Sequence, residues 1–322
     1  FVIFLYRFLR DRLDEATARR TATILATTAA WVVSGFAGAT DMLLAATFNV
    51  AMLNAVFKGS AALAGVALGA AMLAKGLVPL VLFLPVALWM LMQKRTRELF
   101  HMLLLAVLCA APWYVACTLA NGRAFIDEFF IRHHFGRFVS PELQHVQPWW
   151  FYLPVLAGAV VPWLLLAIPT ARDRQMWREP RVRFLLLWLV FALVFFSASR
   201  NKLPGYILPL IPAIASLFGI ASEHAPRWLY IVSGLPLIVV PALAAVLPQL
   251  IENGWNKTSI PNPPVWAMAG MAVLALACWK LKQPAVALGA AVFAAVLYLK
   301  MSALPVVDQV VSARTRAKNP PA

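Results

Sequence analysis

The chain has 322 residues, of which 62% are hydrophobic and 13% are charged, and its mean hydropathy is +0.77. An ordinary soluble domain has about half apolar and about a quarter charged residues, so this composition excludes that class and predicts a polytopic membrane protein. The net charge of +15 would favour nucleic acid as a partner of a soluble protein. Here the basic residues stand in short loops between apolar runs, as in other membrane proteins, and we exclude nucleic acid.

Apolar runs follow one another along most of the chain. A membrane-spanning helix needs about 20 apolar residues, and on this criterion we count about 11 spans plus a partial one. The partial span is at 1–6, and the others are near 21–39, 42–57, 61–74, 77–92, 99–119, 149–169, 184–199, 205–222, 227–250, 264–280 and 284–300. The predicted fold class is therefore all-α, a polytopic transmembrane helix bundle.

Two features inside the spans are interpreted as packing. Gly65 and Gly69 form a GxxxG motif within an apolar run, which is typical of helices that approach each other closely. Cys109, Cys117 and Cys278 also lie in apolar runs, without the spacing of a metal or redox motif.

The basic residues predict the orientation in the membrane. If 7–20 is cytoplasmic, the alternation of spans places 58–60, 93–98, 170–183, 223–226 and 280–283 on the same side, together with most of the 28 Lys and Arg residues. Basic residues concentrate in cytoplasmic loops. Asp41, Lys75, the polar segment 121–148 and the turn at 200–206 then share the outer face, which is periplasmic in a Gram-negative bacterium.

The polar segment 121–148 is the longest interruption of the apolar sequence. His134 and Arg137 are three positions apart, so a helix would place both on one face, and His145 follows. Together they could bind phosphate or a metal ion, although a single interfacial histidine is more often a hydrogen-bonding surface group. The aromatic residues Trp149, Trp150 and Tyr152 favour an interfacial belt over a sugar-binding platform.

Three charged residues outside that segment are further candidates. Asp41 begins a span, where it either complements the helix dipole or faces a substrate. Lys75 is followed by Gly76 and Pro79, so it either lines a cavity at a broken helix or extends to the membrane surface. Lys202 precedes Pro204 and Gly205, which predict a stiff corner, and its alternative is a solvated side chain.

These blocks resemble a known family. FFIRHHFGRF, LQHVQPWWFYLPV and FFSASRNKLPGYILPLIP, with ATDMLLA around Asp41, MLAKGLVP around Lys75 and LPVVD at Asp308, are similar to the GT-C integral-membrane glycosyltransferases. These enzymes use polyprenyl-phosphate sugars. The similarity is greatest to 4-amino-4-deoxy-L-arabinose lipid A transferases and their protein-mannosyltransferase-like relatives.

The resemblance implies a division of the chain and an incomplete site. Residues 1–300 would be a GT-C transmembrane module without its first helix and first outer loop, and 301–322 the start of a truncated periplasmic region. The family's principal catalytic carboxylate belongs to that missing loop.

The resemblance also implies roles for the residues that are present. Asp41 would be the remaining catalytic aspartate, while Lys75, Arg137 and Lys202 would bind the donor phosphate. His145 and Tyr206 would contact the acceptor or line the pocket. His134 would bind a divalent metal ion, although His133 replaces the glutamate that precedes it in the family.

The implied function is transfer of a sugar from undecaprenyl phosphate to an acceptor at the outer face of the bacterial inner membrane. Lipid A or a related glycan is the expected acceptor. A protein O-mannosyltransferase-like enzyme is the alternative within the family. A membrane transporter or lipid flippase is the alternative of another class, but we find no related halves in the sequence.

Overall fold

A computed structural model describes residues 1–38, 40–129, 146–242, 244–246, 265–302 and 305. Its regular elements in these ranges are helices, apart from an isolated antiparallel bridge between Val146 and Asn201. The all-α prediction is therefore confirmed. The chain divides into two compact units, residues 1–224 and 225–322. The predicted boundary at 300/301 adjoins residues outside the described ranges and stays a prediction.

The first unit contains the α-helices that carry the candidate site. They are α1 (Val2–Arg12), α2 (Glu15–Thr27), α3 (Ala29–Ala37), α4 (Thr40–Val56), α5 (Ala61–Lys75), α6 (Val78–Met92), α7 (Thr96–Phe125), α8 (Tyr152–Ala159), α9 (Ala167–Arg172), α10 (Pro180–Ala198) and α11 (Ile211–Ala221). Short 3₁₀ helices lie at Trp163–Leu166, Met176–Arg178 and Pro204–Leu210.

The second unit is smaller. It contains α12 (Arg227–Gly234), a 3₁₀ helix at Leu235–Val239, α13 (Val265–Lys280) and α14 (Pro284–Ser302). Gly234 allows α12 to pack closely, because a Cβ there would lie 2.7 Å from a methyl carbon of Leu274.

The apolar runs form more and shorter helical pieces than the sequence predicts. Among the described residues, five helices are long and apolar enough to cross a membrane, at 96–129, 180–198, 204–221, 227–246 and 284–302. Four shorter apolar helices are α4, α5, α6 and α13. The chain is therefore a multi-pass membrane protein, and the count of about 11 spans includes segments shorter than the roughly 20 residues of a full crossing.

Two predicted continuous spans are interrupted. The run at 21–39 is divided between α2 and α3, because Thr28 has an extended backbone (ψ 130°). The run at 149–169 consists of α8 and a second helical piece, Trp163–Arg172, with 103° between them. Pro162 lies at this bend and has no N–H to continue the helix. The indole of Trp163 is fully buried beyond the bend and donates to Thr27 Oγ1 at 3.2 Å.

The GxxxG motif packs as predicted. A Cβ on Gly65 would lie 2.7 Å from the carbonyl oxygen of Met102, and a Cβ on Gly69 would lie 2.6 Å from Cys109 Cβ. Real Cβ atoms do not approach backbone this closely, so only glycine permits the contact between α5 and α7. This packing fixes α5, whose last residue is Lys75.

Replacing Gly69 with valine is expected to destabilise the helix pair by about 1–3 kcal/mol, because the added methyl groups overpack the contact with α7. The measurement is the midpoint of thermal unfolding of the full-length protein in detergent. Ala62→Val is the matched control, since Ala62 lies on the exposed face of the same helix. Equal midpoints for the two variants would contradict the close contact.

Candidate functional site

An ion pair joins the beginning of α4 to the end of α5. Asp41 lies in the first turn of α4 and Lys75 is the last residue of α5. Lys75 Nζ lies 2.7 Å from Asp41 Oδ1. The two side chains are 19% (Asp41) and 22% (Lys75) exposed, so the charges are partly desolvated but can still be reached by a ligand. The two alternatives for Asp41 are compatible, because its position also complements the dipole of α4.

The backbone conformation after Lys75 ends α5 at that residue. Gly76 has φ 64°, a conformation that favours glycine, and its N–H donates to Met72 O at 2.7 Å. Tyr114 donates its hydroxyl to the same carbonyl at 2.6 Å. The next helix begins at Val78 with Pro79 in its first turn. The predicted break after Lys75 is therefore present.

The corner at Gly205 and Tyr206 packs against this ion pair. A Cβ on Gly205 would lie 3.3 Å from Asp41 Oδ2, so a larger residue would press on the carboxylate. Lys75 Nζ lies 5.5 Å from the centre of the Tyr206 ring, a distance at which a cation is attracted to the aromatic face. Asp41, Lys75 and Tyr206 thus form one cluster from distant parts of the sequence.

Lys202 lies on the same corner, but its side chain is directed inward. The residue is 4% exposed. Its ammonium donates to the carbonyl oxygen of Gln147 at 3.0 Å and to that of Ser199. Burial lowers the pKa of the Lys202 ammonium below its usual value. The alternative of a solvated lysine is therefore excluded, and at least part of its hydrogen-bonding capacity is used within the protein.

Backbone contacts tie the end of the polar segment to this corner. Val146 bridges to Asn201, and the N–H of Gln147 donates to Arg200 O at 3.4 Å. Tyr152 is fully buried and donates its hydroxyl to Leu203 O at 3.2 Å. Tyr152 was predicted as part of an interfacial belt, and the structure instead gives it an interior hydrogen bond. Trp149 and Trp150 are exposed, as the belt requires.

Asn49 connects α4 to the helix that follows the corner by a hydrogen bond. It is completely buried in α4, and its side-chain amide donates to the carbonyls of Ala45 and Pro209, each at 2.8 Å. Pro209 belongs to the 3₁₀ helix that begins just after Leu203. Sequence analysis missed this residue, although a buried asparagine in an apolar helix is a signal of a tertiary hydrogen bond.

The remaining candidates lie outside the described residues. They are His134, Arg137 and His145, with the neighbouring His133. Within the described part of the chain, no group of at least three His, Cys, Asp or Glu side chains could hold a metal ion. The described residues therefore supply no ligand set for the predicted divalent metal, whose site at His134 stays a prediction.

The chain was also compared with known proteins, and no family model matches it. A transferase of Pseudomonas paraeruginosa, strain DSM 24068 / PA7, is 45% identical over 168 residues, which are 49% of this chain and 30% of that protein. A transferase of Pseudomonas fluorescens, strain Pf0-1, is 40% identical over 183 residues, which are 53% of this chain and 31% of that protein. Both are named undecaprenyl phosphate-alpha-4-amino-4-deoxy-L-arabinose arabinosyl transferase.

Among solved structures, ArnT from Cupriavidus metallidurans bound to undecaprenyl phosphate matches 98% of this chain and 63% of its own, with a TM-score of 0.79 and 22% identity. Its apo structure gives a TM-score of 0.76. The chain is similar in sequence to these arabinosyltransferases. Its fold is the GT-C helical membrane fold, as the sequence resemblance implied. The matched segment covers less than a third of the curated relatives' length.

The structure brings Asp41, Lys75 and Tyr206 together, and the roles that the resemblance implies for them stay predictions. Lys202 shares the corner, but the described contacts direct its ammonium to Gln147 and Ser199. The arabinosyltransferase resemblance identified the residues individually, whereas the pairing of Asp41 with Lys75 comes from the structure.

Proposed function

We propose that the protein transfers a sugar from an undecaprenyl-phosphate donor to an acceptor at the outer face of the bacterial inner membrane. The acceptor would be lipid A or a related glycan, and the outer face would be periplasmic. The observation that carries the proposal is the reachable Asp41–Lys75 pair beside Tyr206, in a chain similar in sequence to the arabinosyltransferases. The names of those relatives support the donor and the sugar.

Lys75 would act on the leaving group. When the bond between the sugar and the phosphate breaks, negative charge develops on the phosphate oxygens. A cation placed there stabilises the transition state more than the ground state. A lysine ammonium has three N–H donors, so Lys75 can keep its contact with Asp41 while it donates to a phosphate oxygen.

Asp41 would orient both the Lys75 ammonium and the acceptor. Its carboxylate holds the ammonium in place at 2.7 Å, and its other oxygen faces the Gly205 corner. An acceptor hydroxyl requires a base, and a carboxylate can serve as one. An acceptor phosphate, as on lipid A, requires none, and the second oxygen of Asp41 could then bind the amino group of the sugar.

The roles of the other residues remain part of the proposal. Arg137 would add a bidentate contact to the donor phosphate, and Lys202, whose ammonium donates to the carbonyls of Gln147 and Ser199, would hold the corner in position. His145 and Tyr206 would line the pocket. A divalent metal at His134 would supply further positive charge, and no step above depends on it.

The proposal is tested with the full-length protein in liposomes. The substrates are undecaprenyl phosphate–aminoarabinose and lipid A, and the product is detected by mass spectrometry. We expect lipid A that has gained one aminoarabinose, only when the donor is present. An Arg200→Gln variant should behave like the parent protein, because Arg200 is exposed. Movement of the donor across the bilayer without any transfer would favour the flippase and contradict the proposal.

A further inference from the structure

A cavity of about 700 Å³ lies in the first unit and shares no residue with the Asp41–Lys75 cluster. This volume is within the range of about 300–1,000 Å³ that small-molecule sites occupy. Its lining is apolar except for Thr170 and Trp177. The lining residues belong to the bent α8–α9 segment, the 3₁₀ helix at Met176–Arg178, α10 and α11. A polar ligand would find few hydrogen-bonding partners on these walls.

The bend between α8 and α9 accounts for the cavity. Because the two pieces lie at 103° to each other, they do not cover the neighbouring helices as a straight span would. Leu217 and Phe218 of α11 form a buried part of the wall, while Leu153 and Leu186 are 55% and 41% exposed. The cavity is therefore an open groove among membrane helices, and hydrocarbon is the solvent around such helices.

Basic residues adjoin two of the lining residues in sequence. Arg172 follows the lining residue Ala171, and Arg178 follows the lining residue Trp177. Arg174 lies between them, and all three arginines are exposed. None of the three has an ion-pair partner among the side chains that the structure describes. The loop beside these lining residues thus carries a net positive charge.

The loop also contains two carboxylates, and neither forms an ion pair with the three arginines: Glu179 lies 3.0 Å from Arg181. Asp173 accepts hydrogen bonds from the N–H groups of Gln175 and Met176, each at 3.0 Å, and lies 3.3 Å from His224. Together the two carboxylates offset only part of the positive charge of this loop, which carries five arginines. The positive-inside pattern predicts that the loop 170–183 is cytoplasmic, so the rim faces the leaflet that is rich in anionic lipids.

We propose that this groove binds an anionic phospholipid of the cytoplasmic leaflet. One acyl chain would occupy the apolar groove, and the headgroup phosphate would contact Arg172, Arg174 and Arg178. The apolar wall suits the acyl chain, and the arginines beside it complement the charge of the phosphate. This lipid site is separate from the sugar-transfer site, which is predicted at the opposite face.

The headgroup contact is tested by native mass spectrometry of the full-length protein titrated with dioleoyl phosphatidylglycerol or dioleoyl phosphatidylcholine. We expect selective binding of phosphatidylglycerol. Replacing the three rim arginines with glutamine should weaken it by roughly 100-fold, since each basic residue near the surface contributes about a fivefold effect. The control replaces Arg7, Lys94 and Arg97 with glutamine, which removes the same charge from other exposed positions predicted to be cytoplasmic.

The acyl-chain contact requires a second set of variants. Ala167→Trp or Leu186→Trp would fill the groove, and we expect either to reduce phosphatidylglycerol binding at least tenfold. Leu108→Trp is the control, because Leu108 is 60% exposed on α7. Two variants at different walls keep the test valid if one of them fails to fold.

Soluble glycerol phosphate distinguishes a lipid from a free anion. If the groove needs the acyl chain, glycerol phosphate at millimolar concentration should leave phosphatidylglycerol binding unchanged. Full competition would show a simple anion site and overturn the proposal. Equal loss of binding in the rim variant and its charge-matched control, or no preference between the two lipids, would also overturn it.

Discussion

Replacing Lys75 with methionine is expected to lower the turnover of sugar transfer by about 100- to 1,000-fold, the usual effect of removing one electrostatic contact to developing charge. Methionine keeps much of the apolar stem but removes the ammonium that lies 2.7 Å from Asp41. The measurement is the steady-state rate of the full-length protein in liposomes at saturating donor. The donor KM should change less than kcat, because the developing charge appears only in the transition state.

The partner residue gives a matched test of the same pair. Asp41→Asn keeps Lys75 but weakens its positioning, so we expect a loss of about 10- to 100-fold in turnover. The double variant should be no worse than Lys75→Met alone, because residues that act through one contact are not additive. If the two losses multiply in the double variant, Asp41 and Lys75 act independently, and the pair is not one functional unit.

Folding must be separated from catalysis in these variants. Removing one member of a partly buried ion pair leaves the other charge without compensation, so the thermal midpoint is measured alongside the rate. Lys75→Met with near-parent turnover and a reduced midpoint would assign the pair to stability alone. Lys75→Met with lost turnover and a midpoint like that of Asp41→Asn would assign the ammonium to the reaction.

The packing of this fold could be predicted wherever a short sequence pattern determines it. Gly65 and Gly69 predicted a close helix contact, and a Cβ at either position would enter α7. Gly76 and Pro79 predicted the end of α5. In each case the relevant physical constraint is local, because it concerns one backbone conformation or one helix face.

The bend in the run at 149–169 was missed, although a local signal was present. Pro162 lies inside the run and removes one helical hydrogen bond. Hydropathy alone cannot separate a straight helix from two pieces at 103°, since both bury the same apolar side chains. The groove beside the bend was therefore not predictable from composition.

Contacts between residues that are distant in the sequence could not be predicted either. Asp41 and Lys75 were each candidates, but their contact depends on how α4 packs against α5. Asn49 was not predicted as a structural residue, because its role depends on the carbonyl of Pro209, which lies 160 positions away. Such contacts arise from tertiary packing, which a single sequence does not reveal.

Lys202→Met is expected to reduce both stability and sugar transfer. The residue is 4% exposed and its ammonium donates to two backbone carbonyls. Methionine would leave those carbonyls without this donor, at a cost of about 1–3 kcal/mol for each buried group. We therefore expect the free energy of unfolding to fall by about 3 kcal/mol, measured as a lowered thermal midpoint of the full-length protein.

The loss of transfer should follow from the position of the polar segment. Lys202 links Gln147, at the end of that segment, to the corner that carries Gly205 and Tyr206. Without this link Gln147 is held less firmly at the corner that contacts Asp41 and Lys75. We expect kcat to fall about 10- to 100-fold, as misplacement of about 1 Å can cost. Arg200→Gln, at the exposed neighbouring position, should change neither property.

The two measurements together assign the role of Lys202. A positioning residue lowers the thermal midpoint even when no donor is present, whereas a residue that only binds phosphate leaves it unchanged. An unchanged midpoint with a strongly raised donor KM would therefore contradict the positioning role and favour direct contact with the phosphate. The observed burial of Lys202 favours the positioning role, because a side chain directed into the protein must move before it can reach the donor.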